Sequence, residues 1–373
     1  MELSQQDQLR LNVMLANPID AVRIDESRMI LHALSGDNEA RVELNPNCRD
    51  EMYIKHVREL LSGHALGSPG GYPVFLKRWT RMGQARTDNL AELLKLGEPE
   101  AVTAVAGASG LTDELARLAW WALPTSDIAR CMLESETIAR GSMGKVLAEH
   151  LVEHLPFETE PLVMIETVRL VLQPGLISDK TRMQIWNKGK HKRAYHIGFM
   201  AATPDDLPES HPARADYDAV RAQLQPLIEI QNNPYARLLK RLLSKTGQAF
   251  ITTQESVMRK PGNQDDVVVA LNTLRDYLSP ASTGDIECQD IEQIITECEI
   301  LIEADSDPAL TACLAAVPDL KNELTAMLVM ARCGEAIVTP IFARTTAIGT
   351  VMRRKLEPVS QPIRTRLNQL LGL

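Results

Sequence analysis

Aromatic side chains are scarce in this chain: Trp, Tyr and Phe make up 4% of 373 residues. That scarcity argues against an aromatic-rich β-sandwich and favours helix. No run of 18 apolar residues occurs, so the sequence predicts no membrane-spanning helix. The six cysteines (Cys48, Cys131, Cys288, Cys298, Cys313 and Cys333) form no C-x-x-C pair. Their scatter fits reduced cytosolic thiols rather than a disulfide framework, and supplies no spacing for an iron–sulfur cluster. Met1–Arg10 is polar and precedes no long apolar run, which predicts a chain without a secretory signal. A G-x-S-x-G elbow and a strand followed by G-x-G-x-x-G are both missing. The reading therefore names no catalytic residue, no metal site and no cofactor. Forty basic against 49 acidic side chains leave a net charge of −9. Such a balance excludes a general polyanion binder but leaves a local basic patch open.

What is present is mostly helical patterning. Residues 3–16 read as a helix capped by Ser4. Ala21–Glu26, Arg28–Leu34 and Glu39–Leu44 read as a small antiparallel meander around the turn Ser35-Gly36-Asp37-Asn38. Helical spacing returns over 50–62, and the Gly/Pro-rich stretch Gly63–Pro73 reads as a structured loop. Beyond Thr87, amphipathic segments at 88–96, 99–106, 112–123, 127–134, 143–155 and 161–172 are joined by short turns. These predict a mainly α protein: a helical-hairpin, HEAT-like array behind a small N-terminal α+β element. The organisation expected is an N-terminal element over 1–86, a helical-hairpin region over 87–202, a Pro-rich linker over 203–213 and a C-terminal helical region over 214–373. In that last region, helices are expected near 215–231, 235–245, 265–278, 287–303, 308–332 and 361–371. No Lys or Arg occurs from 276 through 320, and residues 285–307 carry nine acids. Ile291, Ile294, Cys298 and Ile302 keep helical spacing there, so this stretch reads as a folded helix with an acidic outer face.

Several constellations bear on chemistry. His150-Leu151-Val152-Glu153-His154 matches H-x-x-E-H, which would set two zinc-ligating histidines on one helical face; the plainer reading is two boundary histidines on a packed helix. Arg140–Val146 superficially suggests a phosphate loop but fails the Walker pattern at Ala139 and Val146. Gly63–Gly71 is a candidate anion nest, followed by Lys77, Arg78, Trp79 and Arg81. Residues 180–200 hold six Lys/Arg, with His191 and His196 and no acid. Here Lys188, Lys190, His191, Lys192 and Arg193 are candidate anion or nucleic-acid contacts on a flexible turn. The interleaved Trp186, Tyr195 and Phe199 would either stack on bases or pack inward. Cys48, beside Arg49 and ahead of a predicted helix, is the candidate reactive thiol.

Longer strings carry a family resemblance. They are Arg23-Ile24-Asp25-Glu26-Ser27-Arg28-Met29, Leu44-Asn45-Pro46-Asn47-Cys48-Arg49-Asp50 and Gly67-Ser68-Pro69-Gly70-Gly71-Tyr72-Pro73. Four more follow: Arg78-Trp79-Thr80-Arg81-Met82-Gly83-Gln84, Leu96-Gly97-Glu98-Pro99-Glu100-Ala101-Val102, Gly110-Leu111-Thr112-Asp113-Glu114-Leu115-Ala116 and Leu172-Gln173-Pro174-Gly175-Leu176-Ile177. Together, over roughly residues 1–200, they resemble DsrS, a family of accessory proteins encoded with the reverse dissimilatory sulfite reductase system of sulfur-oxidising bacteria. The resemblance implies a cytoplasmic protein whose partners are proteins of the sulfur-oxidation machinery, and it carries over no catalytic residue. The function expected is a non-enzymatic accessory or regulatory role exerted through protein contacts. The alternatives are a nucleic-acid-binding regulator using residues 180–200, or a sulfur-transfer protein using Cys48.

Overall fold

The computed structural model describes residues 3–67, 90–284 and 287–373. Its chain is mainly α with one small antiparallel sheet among the described residues, and it divides into two compact units. The first comprises residues 1–156 and 174–176, the second 157–173 and 177–373. The Pro-rich segment 203–213 has no helix or strand and lies within the second unit.

The first unit opens with α1 (Gln5–Leu15), started by the Ser4 hydroxyl, which accepts from the Asp7 amide at 3.1 Å. Strands β1 (Ala21–Asp25), β2 (Ile30–Ser35) and β3 (Asn38–Glu43) form the expected meander, in the order β1-β2-β3. Ala21 faces Leu34, and Ser35 faces Asn38 across a tight turn in which Gly36 takes a φ of 59°. Pleating sends Val22, Leu31 and Ala33 into a core shared with Leu11 and Leu15 of α1. Tyr53, Ile54, Val57 and Leu61 of α2 (Asp50–Leu66) close that core. Among the described residues β3 has a strand on one side only, and Asn38, Glu39, Arg41 and Glu43 on it are exposed.

One buried polar cluster sits beneath this core. The Asp7 carboxylate accepts from the Asn45 amide at 2.8 Å, from Asn45 Nδ2 at 3.0 Å and from the Tyr53 hydroxyl. Burial opposes its charge, but these hydrogen bonds outweigh it and hold the carboxyl below its ordinary range.

The structure corrects the reading of Gly63–Pro73 at its start. Helix α2 continues through Gly63 to Leu66 and stops at Gly67, whose φ of 67° only glycine adopts without strain. The rest of that loop, with Lys77, Arg78, Trp79 and Arg81, lies outside the described residues. Short helices follow in the described residues: α3 (Leu90–Leu93), α4 (Pro99–Ala106), α5 (Asp113–Ala122), α6 (Ser126–Leu133), α7 (Glu136–Arg140) and α8 (Ser142–His154). Thr112 and Thr125 cap α5 and α6, and successive helices pack on one another.

The second unit holds α9 (Pro161–Val171), α10 (Asp179–Lys188), α11 (Arg193–Ala202), α12 (Tyr217–Gln231), α13 (Pro234–Leu243), α14 (Lys245–Arg259) and α15 (Gln264–Tyr277). It ends with α16 (Ile291–Glu303), α17 (Pro308–Ala316), α18 (Lys321–Met330), α19 (Thr339–Phe342) and α20 (Gly349–Leu371). Sequence neighbours again pack as pairs, while α20 returns across α14 and α18. Three differences from expectation stand out. Helix α14 is present where none was read, α20 starts 12 residues before the expected 361, and the expected 308–332 helix is split in two around a short turn at Pro318–Leu320. Pro358 and Pro362 sit inside α20 away from its buried stripe of Met352, Leu356, Val359 and Ile363. A proline there leaves the carbonyl four residues earlier to water rather than stranding it in a core.

Helix α16 forms over the acidic stretch and buries Ile291, Ile294, Cys298 and Ile302. Its outer acids meet cations of the same unit: Glu297 pairs with Arg332 at 2.6 Å, Glu303 with Lys321 at 3.1 Å and Glu299 with Arg366 at 3.7 Å. No helix among the described residues is long and apolar enough to cross a membrane.

Candidate functional site

The basic segment is not the flexible turn its composition suggests. Residues 179–188 and 193–202 form α10 and α11, and the connection between them is hydrogen bonded. The Gly189 amide donates to the Trp186 carbonyl at 2.9 Å, and the His191 and Lys192 amides donate to the Lys188 carbonyl at 3.0 and 3.1 Å. His196 packs over this turn. Its Nε2–H donates to the Trp186 carbonyl at 3.0 Å and its ring lies 4.3 Å from that of Trp186. The Nδ1 atom is buried with no partner, which identifies the neutral tautomer protonated on Nε2. Burial drives the His196 pKa down to about 4, against the opposing Trp186 contact.

Trp186, Tyr195 and Phe199 are buried. They pack inward, so the base-stacking half of the nucleic-acid reading has no aromatic surface here.

Three of the six Lys/Arg of this segment line a cavity of about 430 Å³ in the second unit. Lys190, Lys192 and Arg193 approach from the α10–α11 turn, Lys260 from the end of α14, and Arg353 from α20. His191 also lines it; Lys188 does not. Three helix N-termini meet at the cavity, through Pro161 of α9, Arg193 and Ala194 of α11, and Asn263 ahead of α15. Helices α9 and α11 both begin without a side-chain cap. Unsatisfied amides and the aligned helix dipole make such ends favourable to anions.

The two most informative groups are Arg193 and Asp266. The Arg193 side chain is half-buried and makes no hydrogen bond or ion pair among the described residues. Burial disfavours its charge first and the neighbouring Arg259 second, with Asp266 opposing both. Asp266 is the one acidic residue lining the cavity among the described residues, and it is 2% exposed. One of its oxygens accepts from the Gly262 amide at 2.9 Å, while its own amide donates to Asn263 Oδ1 at 2.8 Å. That reciprocal pattern resembles a capping box at the start of α15. The other oxygen, Oδ1, is buried and unpaired. Burial raises the Asp266 pKa, against the hydrogen bonds from Gly262 and Asn263 that oppose it.

The remaining candidates lie apart from this cleft. Cys48 is half-buried against the core of the first unit, with Sγ 3.7 Å from the Arg49 carbonyl. His150 and His154 stack with ring centroids 4.0 Å apart, and Trp120 meets His150 edge-on at 4.8 Å. His150 Nε2 lies 3.3 Å from Ser126 Oγ, and His154 Nδ1 lies 2.9 Å from the His150 carbonyl oxygen. Burial and the repulsion of His154 lower the His150 pKa. No group of three or more metal-ligating side chains occurs among the described residues. At the rejected phosphate-loop pattern, the N-terminus of α8 already holds an anion of the chain's own. Asp113 accepts from the Ser142 and Met143 amides, each at 3.1 Å, and from the Ser142 hydroxyl.

Sequence reading found the cationic turn but missed Lys260, Asp266 and Arg353. The signal available for Asp266 was the Asn263-Gln264-Asp265-Asp266 helix start; nothing local marks Lys260 or Arg353. Comparison of the chain with protein-family models, curated proteins and solved structures gives no significant match.

Proposed function

We propose that this chain is an accessory protein of cytoplasmic sulfur oxidation that works by recognition, and that the cleft at Arg193 is where it recognises an anion. The DsrS-like strings of the N-terminal half support the pathway. A single observation carries the recognition reading: five cationic side chains converge on a cavity with one acid, Asp266, and one of them, Arg193, is half-buried with no ion pair of its own among the described residues. Five cations gathered around a single acid repel one another, and an anionic ligand relieves that repulsion.

A tagged full-length chain retrieved from sulfur-oxidising cells tests the reading, with bound proteins identified by mass spectrometry and nuclease-treated samples run in parallel. The expected result is nuclease-resistant retention of a sulfur-oxidation protein, reduced when Lys190, Arg193 and Lys260 are changed together to Gln. A partner set that disappears with nuclease overturns it in favour of nucleic-acid binding through cation–phosphate contacts. Retention unchanged in the triple variant removes the cleft from the function.

A further inference from the structure

The small sheet of the first unit offers a surface independent of the cationic cleft. We propose that the edge of β3 takes up an extended segment of a partner protein as a fourth, antiparallel strand. The segment carries alternating bases and acids on its outer side and apolar side chains on the other.

Backbone direction defines the edge. Ser35 faces Asn38 across a two-residue turn, and the Leu44 amide donates to the Met29 carbonyl at 2.9 Å. Backbone groups alternate in direction along a strand, so Asn38, Ala40, Val42 and Leu44 turn theirs toward β2. The amides and carbonyls of Glu39, Arg41 and Glu43 point the other way, where no strand lies among the described residues. The opposite border of the sheet is engaged, since the Val22 amide of β1 donates to the Leu94 carbonyl at 2.8 Å.

Beside the β3 edge runs a groove of about 980 Å³, lined by Leu9, Val13 and Met14 of α1, by Ile19, and by Ala40 and Val42 of β3. Leu9 and Val13 are 65% and 61% exposed. Ala40 and Val42 pair with the buried Ala33 and Leu31, so they lie on the core side of the sheet. A strand added at the edge places every second side chain on that side, against α1. Covering Leu9 and Val13 then supplies apolar burial, and the outward backbone groups supply hydrogen bonds. A second copy of this chain paired antiparallel would bring its own α1 to the face on which Leu9 and Val13 already stand. A bare extended segment brings no such obstacle.

Charge specifies the outer side. Strand pairing sets Arg23, His32 and Arg41 in one row across the sheet, and Asp25, Ile30 and Glu43 in the next. The first row holds bases and no acid, so the place beside Arg41 calls for a carboxylate. The second ends in an acid on either border, so the place beside Glu43 calls for Lys or Arg. Glu39, two positions before Arg41 on the same side, extends the alternation by one more base.

Two fluorescein-labelled peptides test this on the full chain: Ser-Val-Lys-Val-Glu-Val-Lys-Val-Ser and its charge-reversed counterpart, Ser-Val-Glu-Val-Lys-Val-Glu-Val-Ser. Fluorescence anisotropy should show the first binding about fivefold more tightly than the second. Hydrogen exchange read by mass spectrometry should slow over residues 38–44 when the first peptide is bound. Arg41→Pro removes an amide that β2 does not use, so it should abolish binding while the sheet holds. Val13→Asp, at an exposed position of α1, should weaken binding about tenfold without unfolding the chain. Arg193→Gln should leave peptide binding unchanged, so failure here and failure of the cleft reading are separate results. Equal affinity for the two peptides, binding that survives Arg41→Pro, or no binding into the millimolar range overturns the assignment. So does slow exchange over 38–44 in the free monomer, which makes another part of the chain the occupant. A dimer in sedimentation that Arg41→Pro dissociates overturns it in favour of a second copy.

Discussion

A Cβ on Gly189 would lie 2.1 Å from Cδ2 of His196, so the imidazole fills the space that any larger residue at position 189 would need. The turn that presents Lys190 to Arg193 is therefore braced from below by a buried ring. Gly189→Ala should destabilise the second unit by about 1–3 kcal/mol, the range for overpacking a closed site. Chemical denaturation measures this. Combining it with His196→Ala should cost less than the sum of the two single changes, because the second removes the clash.

His196 also predicts a pH dependence. Its folded pKa of about 4 lies below the ordinary 6.5. Between those values the unfolded chain binds a proton that the folded chain refuses, so stability is complete above pH 6.5 and falls as pH drops toward 4. The loss attributable to this group is about 3 kcal/mol. His196→Gln, which keeps a donor for the Trp186 carbonyl, should flatten the profile over that window.

Asp113 is the cap of a helix to which it does not belong. Partial burial opposes its charge, but hydrogen bonds from Ser142 and Met143 prevail and hold its carboxyl below the ordinary 3.8. Asp113→Ala should cost about 1–2 kcal/mol by leaving the start of α8 unsatisfied. That contribution is present above pH 3.8 and disappears as pH falls through the lower folded value. Comparing wild type and variant by thermal unfolding at neutral and strongly acidic pH reads both effects.

Thiol reactivity should divide by burial. Cys48, Cys131 and Cys288 are half-exposed, whereas Cys298, Cys313 and Cys333 are buried. Burial also pushes the Cys313 and Cys333 thiols up to about 12. Brief iodoacetamide treatment of the native protein should label the first three before the others, as read by peptide mass spectrometry. Cys48 reacting no faster than Cys131 or Cys288 removes the ground for a sulfur-transfer role.

The parts of the fold legible in sequence were those set by local chemistry. The Ser35–Asn38 turn fixed the meander's register, and the cap at Ser4 announced its helix. Helix α14 escaped because Gly247, Thr252 and Thr253 weaken its propensity while burial of Phe250, Ile251 and Val257 sustains it. The start of α20 was hidden by Pro358 and Pro362, which read as breakers but occupy the helix away from its buried stripe. At the cleft, the cations between 188 and 193 were visible as a cluster. Their partners were not, since Lys260, Asp266 and Arg353 reach the same cavity only through tertiary packing.

Strand β3 leaves one row of backbone donors and acceptors without a neighbouring strand among the described residues. Such a border is where sheets of separate molecules add to one another. Glu39, Arg41 and Glu43 stand along it, fully outside the core. A second copy stacked in register would set each of these charges against its own kind. Glu39 also ties β3 to His32 and Trp121, whereas Arg41 and Glu43 pair with each other at 3.0 Å on the surface. That exposed pair guards the border against assembling into fibres, and uncharged replacements of Arg41 and Glu43 should first betray themselves as aggregation rather than as unfolding.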